Sequence, residues 1–271
     1  FGVTLDPAAE VLALIGSKEG IAHLPVACVE PGDVVLVPDP GYPVYATTAR
    51  FSGGEVQLMP LRRENGFLPD LRAIPREVAR RAKLMWINYP NNPTAALAAP
   101  GFYAEVVAFA KEHGIIVESD LAYSEVYFAE VDAPSSFLAT PGAMDVGIEF
   151  HSLSKTYNMT GWRVGFAVGG AEMIGALGKV KTNVDSGVFE AVQRAGIAAL
   201  DGGEACVAEM RRIYRERRDV LCDGLIALGY DVLVPRASFY CLVGVPRGRT
   251  ALDFAAELLT EVGIVATPAT G

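Results

Sequence analysis

Short apolar runs, each ending in a polar or proline-rich turn, recur along the first part of the chain. Runs of this length predict buried β-strands. They cover residues 10–15, 34–38, 55–61, 84–88, 115–117, 146–150 and 164–168. Helical periodicity covers residues 21–29, 76–83 and 102–113. Strands that alternate with helices in this way predict an α/β fold with a mostly parallel sheet and helices on both faces.

A second pattern begins at residue 188. A helical pattern continues to residue 228, interrupted only by the glycine pair Gly202-Gly203. Beyond it lie strand-like runs and one more predicted helix, at residues 230–234, 239–245, 252–262 (the helix) and 264–267. We therefore predict a large domain over residues 1–187, followed by a linking helix and a smaller α/β domain over residues 188–271.

Composition narrows the classes of function. The chain has 271 residues, a formal net charge of -9 and 51% hydrophobic residues. An acidic chain without a basic block argues against a nucleic-acid partner, because nothing neutralises phosphates. The four cysteines form no CxxC pair and the three histidines have no metal-ligand spacing, so neither a disulfide framework nor a metal site is expected.

The chain shows no long apolar run and no signal sequence at its start. A membrane-spanning helix needs about 18 or more consecutive apolar residues. We therefore expect a cytoplasmic protein that does not bind membranes.

Polar residues follow several of the predicted strands or apolar runs. In parallel sheets, ligands bind beyond the carboxyl ends of the strands, so these residues are expected at one edge. They are Ser17, Tyr42, Asn92, Asp120, Tyr123 and Lys155. Each has a simpler interpretation alone: Ser17 as a helix cap, Tyr42 as a packed turn aromatic, Lys155 as a solvated surface lysine. Their shared position favours a ligand site.

The chemistry of these side chains suits a flat cofactor that carries a carbonyl group. Lys155 supplies an amine that can form a Schiff base, and Asp120 a carboxylate that can keep a ring nitrogen protonated. Asn92 and Tyr123 can donate hydrogen bonds to a phenolate oxygen, and Tyr42 can stack on the ring.

Further donors suit a phosphate at one end of the same ligand. Arg163 offers a planar fork, and it is joined by Ser152, Ser154 and the Ser17-Lys18 turn at the start of a predicted helix. Pyridoxal 5′-phosphate (PLP) requires each of these features, so the sequence predicts PLP as the cofactor.

Five segments carry a family resemblance over essentially the whole chain. They are residues 16–20 (GSKEG), 38–43 (PDPGYP), 88–94 (NYPNNPT), 120–123 (DLAY) and 152–163 (SLSKTYNMTGWR). With these segments the chain resembles the fold-type I, class I/II PLP-dependent aminotransferases, and most strongly the members that act on LL-diaminopimelate in lysine biosynthesis.

The resemblance implies a large domain with a mostly parallel seven-stranded sheet between helices, and a smaller C-terminal α/β domain. It makes Lys155 the Schiff-base lysine, which also moves a proton between the substrate Cα and the cofactor. It pairs Asp120 with the pyridine nitrogen, Asn92 and Tyr123 with the ring oxygen, and Tyr42 with the ring face. The phosphate ligands it implies are Ser17, Lys18, Ser152, Ser154 and Arg163.

Members of the family are homodimers with shared active sites, and the segment around Asn183 resembles one that reaches the partner subunit's site. The implied reaction moves an amino group from an amino acid to a 2-oxo acid such as 2-oxoglutarate in a ping-pong cycle. Other interpretations are an aspartate- or alanine-type aminotransferase and a β-lyase that acts on sulfur amino acids. A ligand-sensing domain of a transcription regulator would need an attached DNA-binding segment, and the acidic composition speaks against it.

Two features depart from the family pattern. Ala95 follows Asn-Pro-Thr where the family usually has glycine, so the loop is expected to shift slightly. The arginine that clamps the substrate carboxylate near the C-terminus of family members, and the N-terminal segment that covers their site, are not among these 271 residues. Since the chain opens on Phe1 and stops just after a strand-like run, we expect the protein to continue at both ends.

Overall fold

A computed structural model describes residues 1–128 and 131–269. Seven strands form its main sheet, and all of them coincide with predicted apolar runs. They are β1 (Val11–Leu14), β2 (Val34–Asp39), β3 (Glu55–Pro60), β4 (Ala82–Ile87), β5 (Ile116–Asp120), β6 (Gly147–Ser152) and β7 (Gly165–Gly169). The inner strands are apolar along most of their length because helices cover both of their faces.

The strand order in the sheet is β1-β7-β6-β5-β4-β2-β3. Strand β7 is antiparallel to both of its neighbours, and the pairs from β6 to β3 are parallel. The predicted seven-stranded, mostly parallel sheet is therefore confirmed. Since β4, β5 and β6 are adjacent and parallel, their carboxyl ends lie side by side at one edge.

Nine α-helices accompany the strands within the described residues. They are α1 (Ser17–Cys28), α2 (Val44–Phe51), α3 (Arg76–Arg81), α4 (Phe102–His113), α5 (Leu153–Thr156), α6 (Ala171–Val184), α7 (Glu190–Gly202), α8 (Glu204–Ala227) and α9 (Ala251–Val262). Apolar side chains of α1, α2 and α6 pack on one face of the sheet. Those of α4 pack on the other. The sheet thus lies between helices, as predicted.

The C-terminal part is less regular than the sequence predicts. Strands β8 (Val232–Leu233) and β9 (Leu242–Val243) form a short antiparallel pair inside the predicted runs. The strand-like run at 264–267 has no regular structure, so that prediction is wrong: it has no strand to pair with among the described residues. Every residue of α9 is at least partly exposed. The domain boundary at residue 187 stays a prediction.

One segment of the C-terminal part, residues 236–240, packs against the loop that follows β5. The backbone N–H of Phe128 donates to the Arg236 carbonyl at 3.1 Å, and that of Ser238 donates to the Val126 carbonyl at 2.6 Å. The side chains of Phe239 and Tyr240 consequently reach the carboxyl edge of the main sheet. Among the described helices, none is both long and apolar enough to cross a bilayer.

Two fully buried glutamates in the centre of the sheet have opposite surroundings. Glu149, in β6, accepts hydrogen bonds from the Ser119 and Ser136 hydroxyls and the Phe137 N–H, and its carboxylate lies 3.0 Å from His151 Nε2. Glu118, in β5, has no hydrogen-bond partner for either carboxyl oxygen within the described chain. Burial raises the pKa of Glu118 well above its ordinary value, which favours the uncharged acid.

Candidate active site

The carboxyl ends of β5 and β6 place the central residues of the predicted site. Asp120 is the last residue of β5 and Ser152 the last of β6, and Lys155 lies in α5, which follows β6 directly. Since the two strands are parallel neighbours, Asp120 and Lys155 lie near each other, and the positive charge of Lys155 stabilises the ionised Asp120. The predicted gathering at the strand ends is thus observed for these residues.

Asp120 is a buried carboxylate held by two donors. The Tyr45 hydroxyl donates to Oδ2 at 2.8 Å, and the Ala122 N–H donates to Oδ1 at 3.2 Å. Burial raises the pKa of Asp120 to about 6, and these two hydrogen bonds oppose the rise. No salt bridge to Asp120 exists among the described residues. A cationic ligand group beside this carboxylate would gain a strong partner.

Lys155 is half-buried, and its Nζ lies 5.4 Å from the ring centroid of Phe239. Burial, and then the nearby positive charge of Arg163, lower the pKa of Lys155 below its ordinary value. A lower pKa increases the fraction of neutral amine, which is the nucleophilic form and the form that accepts a proton. The surroundings of Lys155 therefore suit both tasks expected of it.

The loop that carries Asn92 is tied to the end of β5 by Asn88. The Asn88 Nδ2 donates to the Asp120 carbonyl at 2.7 Å, and its Oδ1 accepts from the Asn92 N–H at 2.8 Å. Ala95 has a left-handed backbone conformation with φ 60, which glycine adopts at lower cost. The loop thus keeps a glycine-like geometry at Ala95, and Asn92 stays anchored to Asn88.

Two aromatic residues line the same edge. Tyr123 is buried, and its hydroxyl lies 2.9 Å from that of Tyr240. Tyr42 packs edge-on against Tyr45, with ring centroids 5.6 Å apart. The ammonium group of Lys18 lies 5.4 Å from the Tyr42 ring centroid. Contacts through Tyr45 thus connect Tyr42 to Asp120.

The proposed phosphate end is a turn at the start of α1. Gly16 occupies the N-cap position with φ 76, and a Cβ there would overlap the guanidinium group of Arg163. A Cβ on Gly165 would lie 2.9 Å from the Ser17 nitrogen. Ser152 Oγ accepts from the Ser154 N–H at 3.2 Å, which places both serines at the start of α5. The Arg163 side chain and the N-termini of α1 and α5 therefore lie close together, and groups of these kinds bind anions.

These residues fit PLP. The positive end around Gly16 suits a phosphate, and the missing Cβ of this glycine lets the Arg163 guanidinium lie against the turn. The buried Asp120 suits a protonated ring nitrogen, and Lys155 supplies the amine. Tyr123, Asn92 and Tyr42 are of the types that bind the ring oxygen and the ring face.

Sequence reasoning missed three residues of this site. Tyr45 contacts Asp120 from α2, a helix that the apolar pattern did not reveal. Phe239 and Tyr240 come from the C-terminal part, which carried no recognised chemistry. Their signal was an aromatic pair at the start of a strand-like run, and it gives no indication of a contact with Lys155 or Tyr123.

Asn183 lies apart from the other predicted site residues. It is exposed near the end of α6, and its side-chain amide donates to the Lys179 carbonyl at 2.7 Å. Among the described contacts, none joins Asn183 to Asp120 or Lys155. Its expected role at a partner subunit's site stays a prediction.

Comparisons with known proteins agree with this geometry. A family model described as aminotransferase class I and II matches residues 1–271. The LL-diaminopimelate aminotransferase of Syntrophobacter fumaroxidans is 59% identical over 271 residues, which are 100% of this chain and 70% of that protein.

Solved structures share the fold. The substrate-bound BacF structure from Bacillus subtilis is 42% identical with a TM-score of 0.94, and the match covers 99% of this chain and 68% of that one. A probable N-succinyldiaminopimelate aminotransferase from Thermus thermophilus is 40% identical with a TM-score of 0.93, over 99% and 72% of the two chains. The chain therefore belongs to the class I and II aminotransferases, PLP-dependent enzymes that transfer amino groups from amino acids to 2-oxo acids.

Proposed function

We propose that this enzyme transfers an amino group from LL-diaminopimelate to 2-oxoglutarate, a step of lysine biosynthesis. The observation that carries the proposal is the degree of identity. The relative named LL-diaminopimelate aminotransferase is 59% identical over the whole chain. The structures of BacF and of the probable N-succinyldiaminopimelate aminotransferase are 42% and 40% identical.

Asp120 and Lys155 are proposed to carry the central chemistry. When bound, PLP supplies a protonated pyridine ring that withdraws electrons from the substrate Cα. Asp120 keeps the proton on the ring nitrogen, because its buried carboxylate gains a cationic partner there. Lys155 would hold the cofactor through its amine, which would be freed when the substrate amine takes its place. The freed Lys155 amine would then act as the general base and acid that moves the substrate Cα proton.

The ring oxygen and ring face are proposed to contact three further residues. Asn92 and Tyr123 donate hydrogen bonds to the oxygen, which stabilises its negative charge. Tyr42 stacks on the ring, and its contact with Tyr45 supports that position. These contacts orient the cofactor relative to Lys155, and orientation alone contributes a large part of the rate.

The phosphate is proposed to bind where Gly16 begins α1. Ser17, Lys18, Ser152, Ser154 and Arg163 supply hydroxyl, amide and cationic donors. Charge-assisted hydrogen bonds of this kind are each worth about 1.5–3 kcal/mol.

We also propose a homodimer with shared active sites in the cytoplasm. Apolar side chains flank the Asn183 segment and are largely exposed in the single chain: Val184 at 60% and Phe189 at 74%. Exposed apolar groups of this size support a subunit interface. Light scattering of the full gene product would test the dimer, and cell fractionation the location. A monomer at micromolar concentration would contradict the first proposal.

The substrate is tested with a panel of amino donors. The full gene product is mixed with 2-oxoglutarate and LL-diaminopimelate, meso-diaminopimelate, aspartate or alanine, and glutamate formation is measured. We expect kcat/KM for LL-diaminopimelate to exceed that for aspartate and alanine by about 100-fold or more, since unpaired polar groups penalise the wrong donor. The meso isomer differs at one stereocentre and is the matched control.

Other outcomes would reject the proposal in distinct ways. A preference for aspartate or alanine would identify an aminotransferase with another donor. Formation of pyruvate and ammonia from a sulfur amino acid, without glutamate, would identify a β-lyase. A ping-pong cycle further predicts parallel double-reciprocal lines when both substrates are varied.

A further inference from the structure

A buried ion cluster connects the end of α6 to the first turn of α1. Lys181 is 6% exposed. Its Nζ donates to Glu19 Oε1 at 2.6 Å and to Asp185 Oδ1 at 2.7 Å. A buried lysine is costly unless its charge is paired, so these two carboxylates are what allow Lys181 to be buried.

Glu19 helps to form the turn proposed for the phosphate. Its Oε2 accepts a hydrogen bond from the Ile15 N–H at 2.5 Å, and its own N–H donates to the Gly16 carbonyl at 3.2 Å. The carboxylate therefore closes the turn that contains Gly16, Ser17 and Lys18. His23, one helical turn further on, lies 3.8 Å from the same carboxylate.

This arrangement creates an electrostatic conflict. Burial raises the pKa of Glu19, and the hydrogen bond from Lys181 opposes that rise and favours the ionised carboxylate. An ionised Glu19 beside this turn would repel the phosphate of a bound cofactor. Like charges close to one another, at an effective dielectric constant of about 20, repel enough to weaken binding by about 10–30-fold. A cation on the Glu19 carboxylate removes most of that repulsion without altering the turn.

We propose that Lys181 is a positioning residue for the cofactor phosphate. It neutralises Glu19 and holds its carboxylate against the Ile15 N–H, while Arg163 and Lys18 contact the phosphate themselves. The inference rests on the proposed phosphate site at this turn. Asp185 completes the cluster by fixing the Lys181 ammonium from the α6 side.

The test measures cofactor affinity in apoproteins, by titration with PLP and with pyridoxal, which lacks the phosphate. We expect Lys181→Met to bind PLP about 10–30-fold more weakly, with little change for pyridoxal. Adding Glu19→Gln to Lys181→Met removes the charge next to the turn and leaves only that of Asp185 on the α6 side, so it should restore PLP affinity to within about 3-fold of wild type. Lys179→Met, an exposed position on the same helix, is the matched control and should bind both ligands normally.

Three results would overturn the inference. One is unchanged PLP affinity in Lys181→Met. Another is an equal loss for PLP and pyridoxal, which would indicate a general folding defect. The third is a double variant that binds PLP as weakly as Lys181→Met. Arg163→Met separates this inference from the proposed phosphate site. If Arg163→Met lowers the affinity for PLP but Lys181→Met does not, only the role of Lys181 is wrong. If neither variant lowers the affinity for PLP, the phosphate site itself is wrong.

Discussion

The buried carboxylate of Asp120 gives a prediction in which stability and function change in opposite directions. Its pKa is raised from the ordinary value of 3.8 to about 6 by burial. Because Asp120 is protonated more readily in the folded state, its contribution to the free energy of unfolding is fully present below pH 3.8. That contribution is lost as the pH rises through about 6. Above that pH the apoprotein therefore contains a buried charge that weakens the fold.

The magnitude follows from the two pKa values. A difference of about two units corresponds to a penalty of about 3 kcal/mol at pH 8, which falls to about 1.6 kcal/mol at pH 5. Asp120→Asn removes this pH-dependent penalty but leaves one buried amide N–H₂ unpaired, a cost of about 1 kcal/mol at either pH. The variant apoprotein should thus be about 2 kcal/mol more stable than wild type at pH 8 and nearly equal at pH 5.

Urea unfolding of both apoproteins at pH 8 and pH 5 measures this difference. Other titrating groups cancel because both proteins share them, and Asp223→Asn, at an exposed position of α8, is the matched control. Amino transfer by the loaded variant should fall by about 100-fold or more, since the ring nitrogen loses its carboxylate. A stability difference that is the same at both pH values would refute the reasoning.

Two further predictions concern the sheet and the ring oxygen. Glu118→Leu should stabilise the protein by about 1–3 kcal/mol because it replaces a buried acid that has no hydrogen-bond partner among the described residues. Glu149→Leu should destabilise it by more than about 3 kcal/mol because the groups that donate to Glu149 lose their acceptor. Urea unfolding measures both variants, and a more stable Glu149→Leu than Glu118→Leu would contradict this prediction. Tyr240→Phe should raise by about 0.1–0.6 units the pH at which half of the bound cofactor has changed its visible absorbance. The reason is that the hydrogen bond that Tyr123 donates to the cofactor ring oxygen weakens by about 10–30% when Tyr240 no longer donates to Tyr123. The shift should disappear in a Tyr123→Phe background, and a shift that persists there would exclude this route.

The central sheet could be predicted from the sequence because its strands are buried on both faces. Such strands appear as continuous apolar runs between turns. Helix α4 also begins and ends where its apolar spacing predicts, with glycines just outside both ends. Helices α2 and α6 were not predicted. Helix α6 contains Gly175 and Gly178, which have low helix propensity, and packing against the sheet overrides that propensity.

The site was predictable only where the strand order determines it. Asp120 ends β5 and Lys155 follows β6, its parallel neighbour, so their proximity follows from the topology. Tyr45 and Tyr240 are 75 and 117 residues from the side chains they contact. A local sequence pattern cannot indicate contacts between residues so far apart in the chain. The ion pair of Lys181 with Glu19 spans 162 residues and is equally invisible in the sequence.

The covalent role of Lys155 can be measured directly. The loaded enzyme is treated with sodium borohydride, which makes the bond between lysine and cofactor permanent, and its peptides are analysed by mass spectrometry. We predict a single phosphopyridoxyl group on Lys155, none in Lys155→Ala, and loss of the label when an amino donor is added before reduction. A label on Lys18 or on any other lysine, or amino transfer by Lys155→Ala at the wild-type rate, would contradict the account.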